Sequence, residues 1–223
     1  MALLSLDTSS HNCSVHLKRS DGACFERCDS IGRGHAEVLI GMIDEALDEL
    51  NISYDNLTRV GETTGPGSFT GVRVGLSAAR GLALALDIPV IGVSTLQALA
   101  SGCDENNAKL VVQDAKRGEF YAQFFDANGI STEGPLLHRI DDPCSDLWLN
   151  CERLSLMGSG AEHFASLIEG AVIFSKDDAP SISVVSRLCQ AARDRSIKPK
   201  PLYLRAADAK PQPASARVAR TAS

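Results

Sequence analysis

The sequence predicts a two-lobed α/β protein in which each lobe opens with a β-hairpin. The first observation is a repeat, because Gly22 follows Asp7 by fifteen positions and Gly129 follows Asp114 by the same fifteen. Each Asp ends an apolar segment, and each Gly completes an Asp-Gly or Asn-Gly turn signal. The second observation is a helical apolar stripe over residues 36–50. Together they predict strands and helices arranged as two copies of one half-domain.

The first half contains six further elements after the two strands of the hairpin. Gly65-Pro66-Gly67 breaks the chain between a strand and a helix, because neither residue type continues regular structure comfortably. The predicted strands cover residues 2–6, 14–18, 23–28, 59–63 and 89–93. The predicted helices cover residues 36–50, 71–86 and 95–100.

The second half repeats this order less regularly. The predicted strands cover residues 109–113, 119–125, 154–158 and 171–174, and the predicted helices cover residues 141–150, 160–168 and 180–193. Residues 199–204 are predicted to be extended. This order divides the chain into a first lobe (1–104), a reduced second lobe (105–204) and a tail (205–223). The tail is rich in Ala, Pro, Ser and Arg, and we expect it to be disordered.

The helix predicted over residues 71–86 has an unusual row of small residues. Gly71, Gly75, Ala79 and Ala83 recur at every fourth position, and Ser77, Gly81 and Ala85 form a second row. Each glycine costs a helix about 1 kcal/mol relative to alanine, so close packing must offset the cost. Two interpretations fit: the helix packs only on its own sheet, or it packs on that sheet and on a partner helix as well.

Composition limits the function. The net charge is −6 and only 5% of residues are aromatic, which argues against a broad nucleic-acid surface. The seven cysteines are scattered and include no CxxC pair, as expected in a reducing compartment. No apolar run is expected to reach membrane-spanning length, and the start of the chain does not look like a signal peptide. We therefore expect a cytoplasmic protein that does not contact membranes.

Two acidic loops are the strongest candidates for chemistry. Asp7 and Asp114 end the first strands of the two lobes, where sugar-kinase and actin-like folds hold a nucleotide's phosphates and magnesium. Asp7-Thr8 fits such a loop better than Asp114 does, and both could instead be ordinary turn residues. The five histidines form no zinc motif, and His35 is expected to hydrogen-bond at a helix start. We therefore predict degenerate phosphate loops, with no catalytic residue and no metal site.

Six segments in order resemble the bacterial TsaB family, also called YeaZ. They are Leu6-Asp7-Thr8-Ser9, residues 33–47 around His35, Gly65-Pro66-Gly67-Ser68-Phe69-Thr70-Gly71-Val72-Arg73-Val74-Gly75, Gly92-Val93-Ser94-Thr95-Leu96, residues 114–121 and Pro201-Leu202-Tyr203-Leu204-Arg205. The resemblance implies an actin-like ATPase fold (ASKHA, ribonuclease H-like), duplicated and with a reduced second lobe. The chain departs from the family pattern at Gly34 and Gly41.

The resemblance also implies a role as the non-catalytic partner of the enzyme TsaD, working with the ATPase TsaE. That complex adds threonylcarbamoyl to the adenosine next to the anticodon of tRNAs that read codons beginning with A. ATP and metal are then expected on the partner subunits, and tRNA would be met only through the complex. Without its partner the chain could form a homodimer. The expected partner interface comprises Ala36, Ile40, Ile43, Leu47, Gly71, Arg73, Gly75, Leu76, Ala79, Arg80 and Ala83.

Two alternatives remain open from the sequence. One is a stand-alone ATP-using enzyme of the same fold that depends on Asp7. The other is a tRNA-binding module that uses the basic residues of the tail, namely Arg205, Lys210, Arg217 and Arg220.

Overall fold

The first lobe is built on a five-stranded mixed sheet. The computed structural model describes residues 1–131, 133–192 and 199–205. Strand order in this sheet is β3-β2-β1-β4-β5. Strand β1 pairs antiparallel with β2 and parallel with β4, so a hairpin opens the lobe as predicted. The strands are β1 (Ala2–Asp7), β2 (Asn12–Arg19), β3 (Cys24–Ser30), β4 (Leu57–Thr63) and β5 (Val90–Val93).

The second lobe repeats this topology. Its sheet has the order β10-β9-β6-β7-β8, which is the first lobe's order read from the other edge. Strand β6 pairs antiparallel with β7 and parallel with β9, as β1 does with β2 and β4. The predicted duplicated, actin-like α/β fold is therefore confirmed. The strands are β6 (Ala108–Lys116), β7 (Glu119–Phe125), β8 (Leu136–Arg139), β9 (Leu154–Met157) and β10 (Val172–Ser175).

Two long helices cover one face of the first sheet. Leu39 and Ile43 pack with Leu4, Leu6 and Val60 in one buried apolar cluster. Removing so much apolar surface from water is the main stabilising contribution to the lobe. The helices are α1 (His35–Glu49), α2 (Phe69–Leu86), α3 (Thr95–Ala100), α4 (Asp146–Leu149), α5 (Ala161–Ala165) and α6 (Ile182–Ala191).

The second lobe is smaller, in agreement with its predicted reduction. Helices α4 and α5 have 4 and 5 residues, whereas α1 and α2 have 15 and 18. The helices predicted over residues 141–150 and 160–168 are thus too long. Buried Trp148 and Phe164 belong to these short helices and pack in the same apolar cluster. The sequence prediction missed strand β8, a four-residue edge strand without an alternating apolar pattern.

The end of the described chain returns to the first lobe. Helix α6 buries Ile182, Val185 and Cys189 in a cluster with Leu3 and Ile91. It thus covers the face of the first sheet opposite α1 and α2, although the sequence assigns residues 105–204 to the second lobe. Arg205, placed in the predicted disordered tail, is hydrogen-bonded to the second lobe. The rest of that tail, 206–223, lies outside the described residues.

Helix α2 corrects one expectation from the sequence. Among the described residues it is the one helix long and apolar enough, by length and composition alone, to cross a membrane. The prediction that no apolar run approaches that length is therefore wrong for α2. Core helices of globular proteins pass the same test, and α2 packs with β4 and β1 of its own sheet.

Candidate functional site

The first small-residue row of α2 lies against the chain's own sheet. A Cβ at Gly71 would sit closer than 3.0 Å to the main-chain oxygen of Thr8. A Cβ at Gly75 would sit 2.5 Å from Thr8 Oγ1 and closer still to the carboxyl of Glu62. Only glycine permits this approach, because real Cβ atoms essentially never come so near another heavy atom. Close packing within the chain itself therefore explains why α2 carries these two glycines despite their cost in helix stability.

Thr8 joins the loop after β1 to the interior of α2. Its hydroxyl donates to the carbonyl of Gly71 at 2.8 Å and accepts from the amide of Gly75 at 3.1 Å. Those two groups are the i and i+4 partners of an ordinary helical hydrogen bond, so the Thr8 hydroxyl lies between them. Thr8 is completely buried. The loop and the helix are consequently fixed to each other by a desolvated side chain.

Two carboxyl groups are buried next to this contact. Asp7 accepts hydrogen bonds from the Thr63 hydroxyl at 2.5 Å and from the Ser9 amide at 2.9 Å. Within the described part of the chain, Asp7 Oδ2 and Glu62 Oε2 have no hydrogen-bond partner. Burial raises the pKa of Glu62 well above its usual value, and the nearby charge of Asp7 raises it further. Burial also raises the pKa of Asp7. Both effects follow from the cost of placing charge in a poorly polarisable interior.

Of the predicted phosphate-loop residues, Asp114 lines the cleft between the lobes, whereas Asp7 and Thr8 do not. A cleft of about 730 Å³ separates the lobes, and Asp114 lines it together with Ser9, Ser68 and Lys116. Asp114 is already paired with Lys116 at 2.8 Å. Asp7 is completely buried and does not line the cleft. A magnesium–nucleotide held between Asp7 and Asp114, as the fold suggests, does not fit the positions of these residues.

Most of the predicted interface residues lie in the first lobe's own core. Seven of the eleven are buried there, so a position facing a partner does not hold for Ile43, Leu47, Gly71, Gly75, Leu76, Ala79 and Ala83. The other four, Ala36, Ile40, Arg73 and Arg80, are exposed. The four exposed members, two on each helix, are the ones that a partner could reach in this conformation.

An apolar groove of about 440 Å³ runs between the exposed sides of α1 and α2. We call it the α1–α2 groove, and its lining is Ala36, Leu39, Ile40, Phe69, Thr70, Arg73, Val74, Ser77 and Ala78. The second small-residue row, Ser77, Gly81 and Ala85, is exposed beside it. A Cβ at Gly81 would meet nothing within 4 Å. This side of α2 is therefore open enough for another backbone to approach closely.

Several residues of this region were not singled out from the sequence. Phe69 and Leu84 are exposed, and Leu84 is 86% accessible. Isolated exposed apolar residues are common, but here they flank one groove. Glu62 was missed because it sits in a buried strand, where an acidic residue is unexpected. His35 behaves as predicted, since it begins α1 and its Nε2 donates to the carbonyl of Asn12 at 3.1 Å.

The chain is similar to proteins of tRNA modification. A family model described as TsaD, tRNA N6-adenosine threonylcarbamoyltransferase, matches residues 29–134. The TsaB protein of Escherichia coli is 39% identical over 138 residues, which are 58% of this chain and 58% of that protein. The TsaB protein of Haemophilus influenzae is 40% identical over 124 residues. Both relatives are named as tRNA threonylcarbamoyladenosine biosynthesis proteins, and the chain spans little more than half of their length.

Two further comparisons extend the similarity over most of the chain. An uncharacterised protein of Mycobacterium tuberculosis is 34% identical over 187 residues, covering 83% of this chain and 82% of its own length. A crystal structure from Pseudomonas aeruginosa, described as similar to peptidase YeaZ, has a TM-score of 0.76. It is 24% identical and covers 92% of this chain and 99% of its own, so it shows the shared fold. The chain therefore belongs to one family with the Mycobacterium tuberculosis protein and is similar to TsaB proteins over part of their length.

Proposed function

We propose that this chain is a non-catalytic subunit that binds TsaD and supports threonylcarbamoyl transfer to tRNA, with TsaE as a further partner. The observation that carries the proposal is the α1–α2 groove, an apolar surface beside an open row of small residues. The similarity to TsaB proteins and the match to the TsaD family model favour a TsaD-like protein as its occupant. The seven cysteines are all free, which fits a cytoplasmic location.

A stand-alone ATP-using enzyme is less well supported. Asp7 is turned into the protein and hydrogen-bonded to Thr63 and Ser9, so its carboxylate does not reach the interlobe cleft. A tRNA-binding module is also less well supported, since Arg205 is paired with Glu119. The other basic residues of that hypothesis, Lys210, Arg217 and Arg220, lie outside the described residues.

The geometry suggests how the partner would be held. Two packed helices approach each other most closely where the side chains between them are small. The exposed residues Ser77 and Gly81 provide such a position on α2. Ile40 and Phe69, each 46% exposed, would bury their apolar surface on contact. Arg73 is the one charged residue lining the α1–α2 groove. We therefore expect a mainly apolar helical surface on TsaD.

The test is complex formation with TsaD from the same organism, followed by size-exclusion chromatography with light scattering. Ile40→Asp places a charge in the α1–α2 groove and should weaken association at least tenfold. Leu149→Asp is the matched control, because Leu149 is 47% exposed but lies on α4 in the second lobe. It should bind as the unaltered chain does.

Three outcomes decide between the hypotheses. A heteromeric complex that Ile40→Asp disrupts and Leu149→Asp does not supports the proposal. A homodimer disrupted by Ile40→Asp, with no TsaD complex even after addition of TsaE and ATP, would show that the groove serves self-association and would contradict the proposal. Equal loss in both variants would contradict the assignment of the groove.

A further inference from the structure

Residues 199–205 form an irregular segment that crosses from one lobe to the other. It begins on the first lobe, where the carbonyl of Pro199 accepts a hydrogen bond from Arg80 on α2. A Cβ at Gly92 would lie 2.5 Å from the Pro199 ring, so strand β5 is shaped to receive this residue. The amide of Leu202 then donates to the carbonyl of Thr64 at 2.8 Å. The first half of the segment is therefore docked on the end of the first sheet.

The middle of the segment is fixed by an aromatic contact. The Tyr203 ring lies 5.2 Å from the Phe69 ring, between centroids. Arg73 Nε donates to the Tyr203 hydroxyl at 2.8 Å, and its guanidinium lies 3.7 Å from the centre of the Phe69 ring. Stacked aromatic rings and a cation over one of them are mutually stabilising. Tyr203 is thus held at the start of α2.

The last described residue reaches the second lobe. Arg205 Nη2 donates to the carbonyl of Lys116 at 3.1 Å and pairs with the carboxylate of Glu119. The two paired side chains are only 24% and 22% exposed, so the pair is less screened than an ordinary surface ion pair. Lys116 and Glu119 flank the turn of the β6–β7 hairpin. Arg205 therefore connects a segment docked on one sheet to the other sheet's first hairpin.

We propose that residues 199–205 act as a strap that fixes the angle between the lobes, with Arg205 as its anchor on the second lobe. Residues 202–205 line the interlobe cleft, so the strap would also set the cleft's width. Other links join the lobes as well. Helix α3 contributes Leu96 and Leu99 to an apolar cluster with Val111 of β6, and His11 pairs with Asp178 at 2.9 Å. These links connect the lobes, and the strap restrains their opening.

Amide hydrogen exchange of the full chain, measured by NMR, tests the strap. Arg205→Ala removes the anchor and should raise exchange on the order of tenfold at Leu202, whose amide is bonded to the first lobe. Glu119→Gln should do the same, and the double variant should add little to either. Lys116→Ala is the control, because Arg205 bonds to the main chain of Lys116, which this substitution keeps. It should leave exchange at Leu202 unchanged.

A strap and a local ion pair predict different changes in amide exchange when Arg205 is replaced. If Arg205→Ala raises exchange only in the β6–β7 hairpin and not at Leu202, the pair stabilises its own surroundings and the proposal is overturned. Small-angle X-ray scattering provides the second measurement. The radius of gyration should increase in Arg205→Ala and stay unchanged in Lys116→Ala. Amide exchange in β1, which lies between β2 and β4 in the first sheet, reports that the variants remain folded.

Discussion

Replacing Gly81 or Gly75 of α2 by alanine should change the free energy of unfolding in opposite directions. Gly81 is exposed in the interior of α2, and a Cβ there would meet nothing within 4 Å. Gly81→Ala should therefore raise the free energy of unfolding by about 1 kcal/mol, the difference in helix propensity. For a chain of this size that corresponds to a rise of roughly 2–4 °C in melting temperature.

Gly75→Ala gains the same propensity but meets the Glu62 carboxyl and Thr8 Oγ1. Overpacking costs about 1–3 kcal/mol, and displacing the Thr8 hydroxyl from the Gly75 amide costs about 1 kcal/mol more. The net change should be a loss of about 1–3 kcal/mol. Urea unfolding of the isolated chain, followed by circular dichroism, measures both variants. The packing argument fails if Gly75→Ala is as stable as the unaltered chain, or if Gly81→Ala is less stable.

Two further predictions concern the buried polar cluster beneath α2. Because the folded-state pKa of Glu62 lies above its unfolded value near 4.5, its contribution to stability is fully present below that pH and is lost as pH rises through the folded-state pKa. Glu62→Gln should remove this loss, so the variant should be more stable than the unaltered chain at pH 8 and lose less stability between pH 4 and pH 8; an unchanged pH dependence of urea unfolding would contradict it. Thr8→Val should cost about 1–3 kcal/mol, since the hydroxyl that bonds Gly71 and Gly75 is deleted, whereas Thr8→Ser should cost less in the same assay.

The sequence predicted the repeated topology well because its signals are local. The apolar runs before Asp7 and Asp114 place the first strand of each hairpin, and the turn residues Gly22 and Gly129 follow its second strand. The helix stripe places α1. The sequence could not place α6 and residues 199–205 on the first lobe, since no local pattern states which sheet a late element covers. The lengths of helices α4 and α5 in the second lobe were also overpredicted, since both are only one turn long.

Only part of the candidate site could be predicted from the sequence, and the geometry of helix α2 explains why. Successive residues of an α-helix turn by about 100°, so Gly75 and Ser77 point some 200° apart. The rows that begin at Gly71 and at Ser77 must therefore lie on opposite sides of α2, and one partner helix cannot cover both. The sequence alone did not say which row faces the sheet. The buried neighbours Val72 and Leu76 accompany the first row, and this apolar flank was the available signal.

Because the two small-residue rows lie on opposite sides of α2, substitutions on them provide a direct test of the proposed function. If the first row fits α2 to its own sheet and the second fits it to TsaD, substitutions on the two rows should separate stability from association. Gly81→Leu should leave the unfolding free energy of the isolated chain near or above that of the original, yet weaken TsaD binding at least tenfold. Gly41→Leu is the matched control, since Gly41 also lies in a helix with open space around it but belongs to α1 and not to the open row of α2. Equal TsaD affinity in the two variants would mean that the open row is not a contact surface, and the partner would then have to be sought on another face.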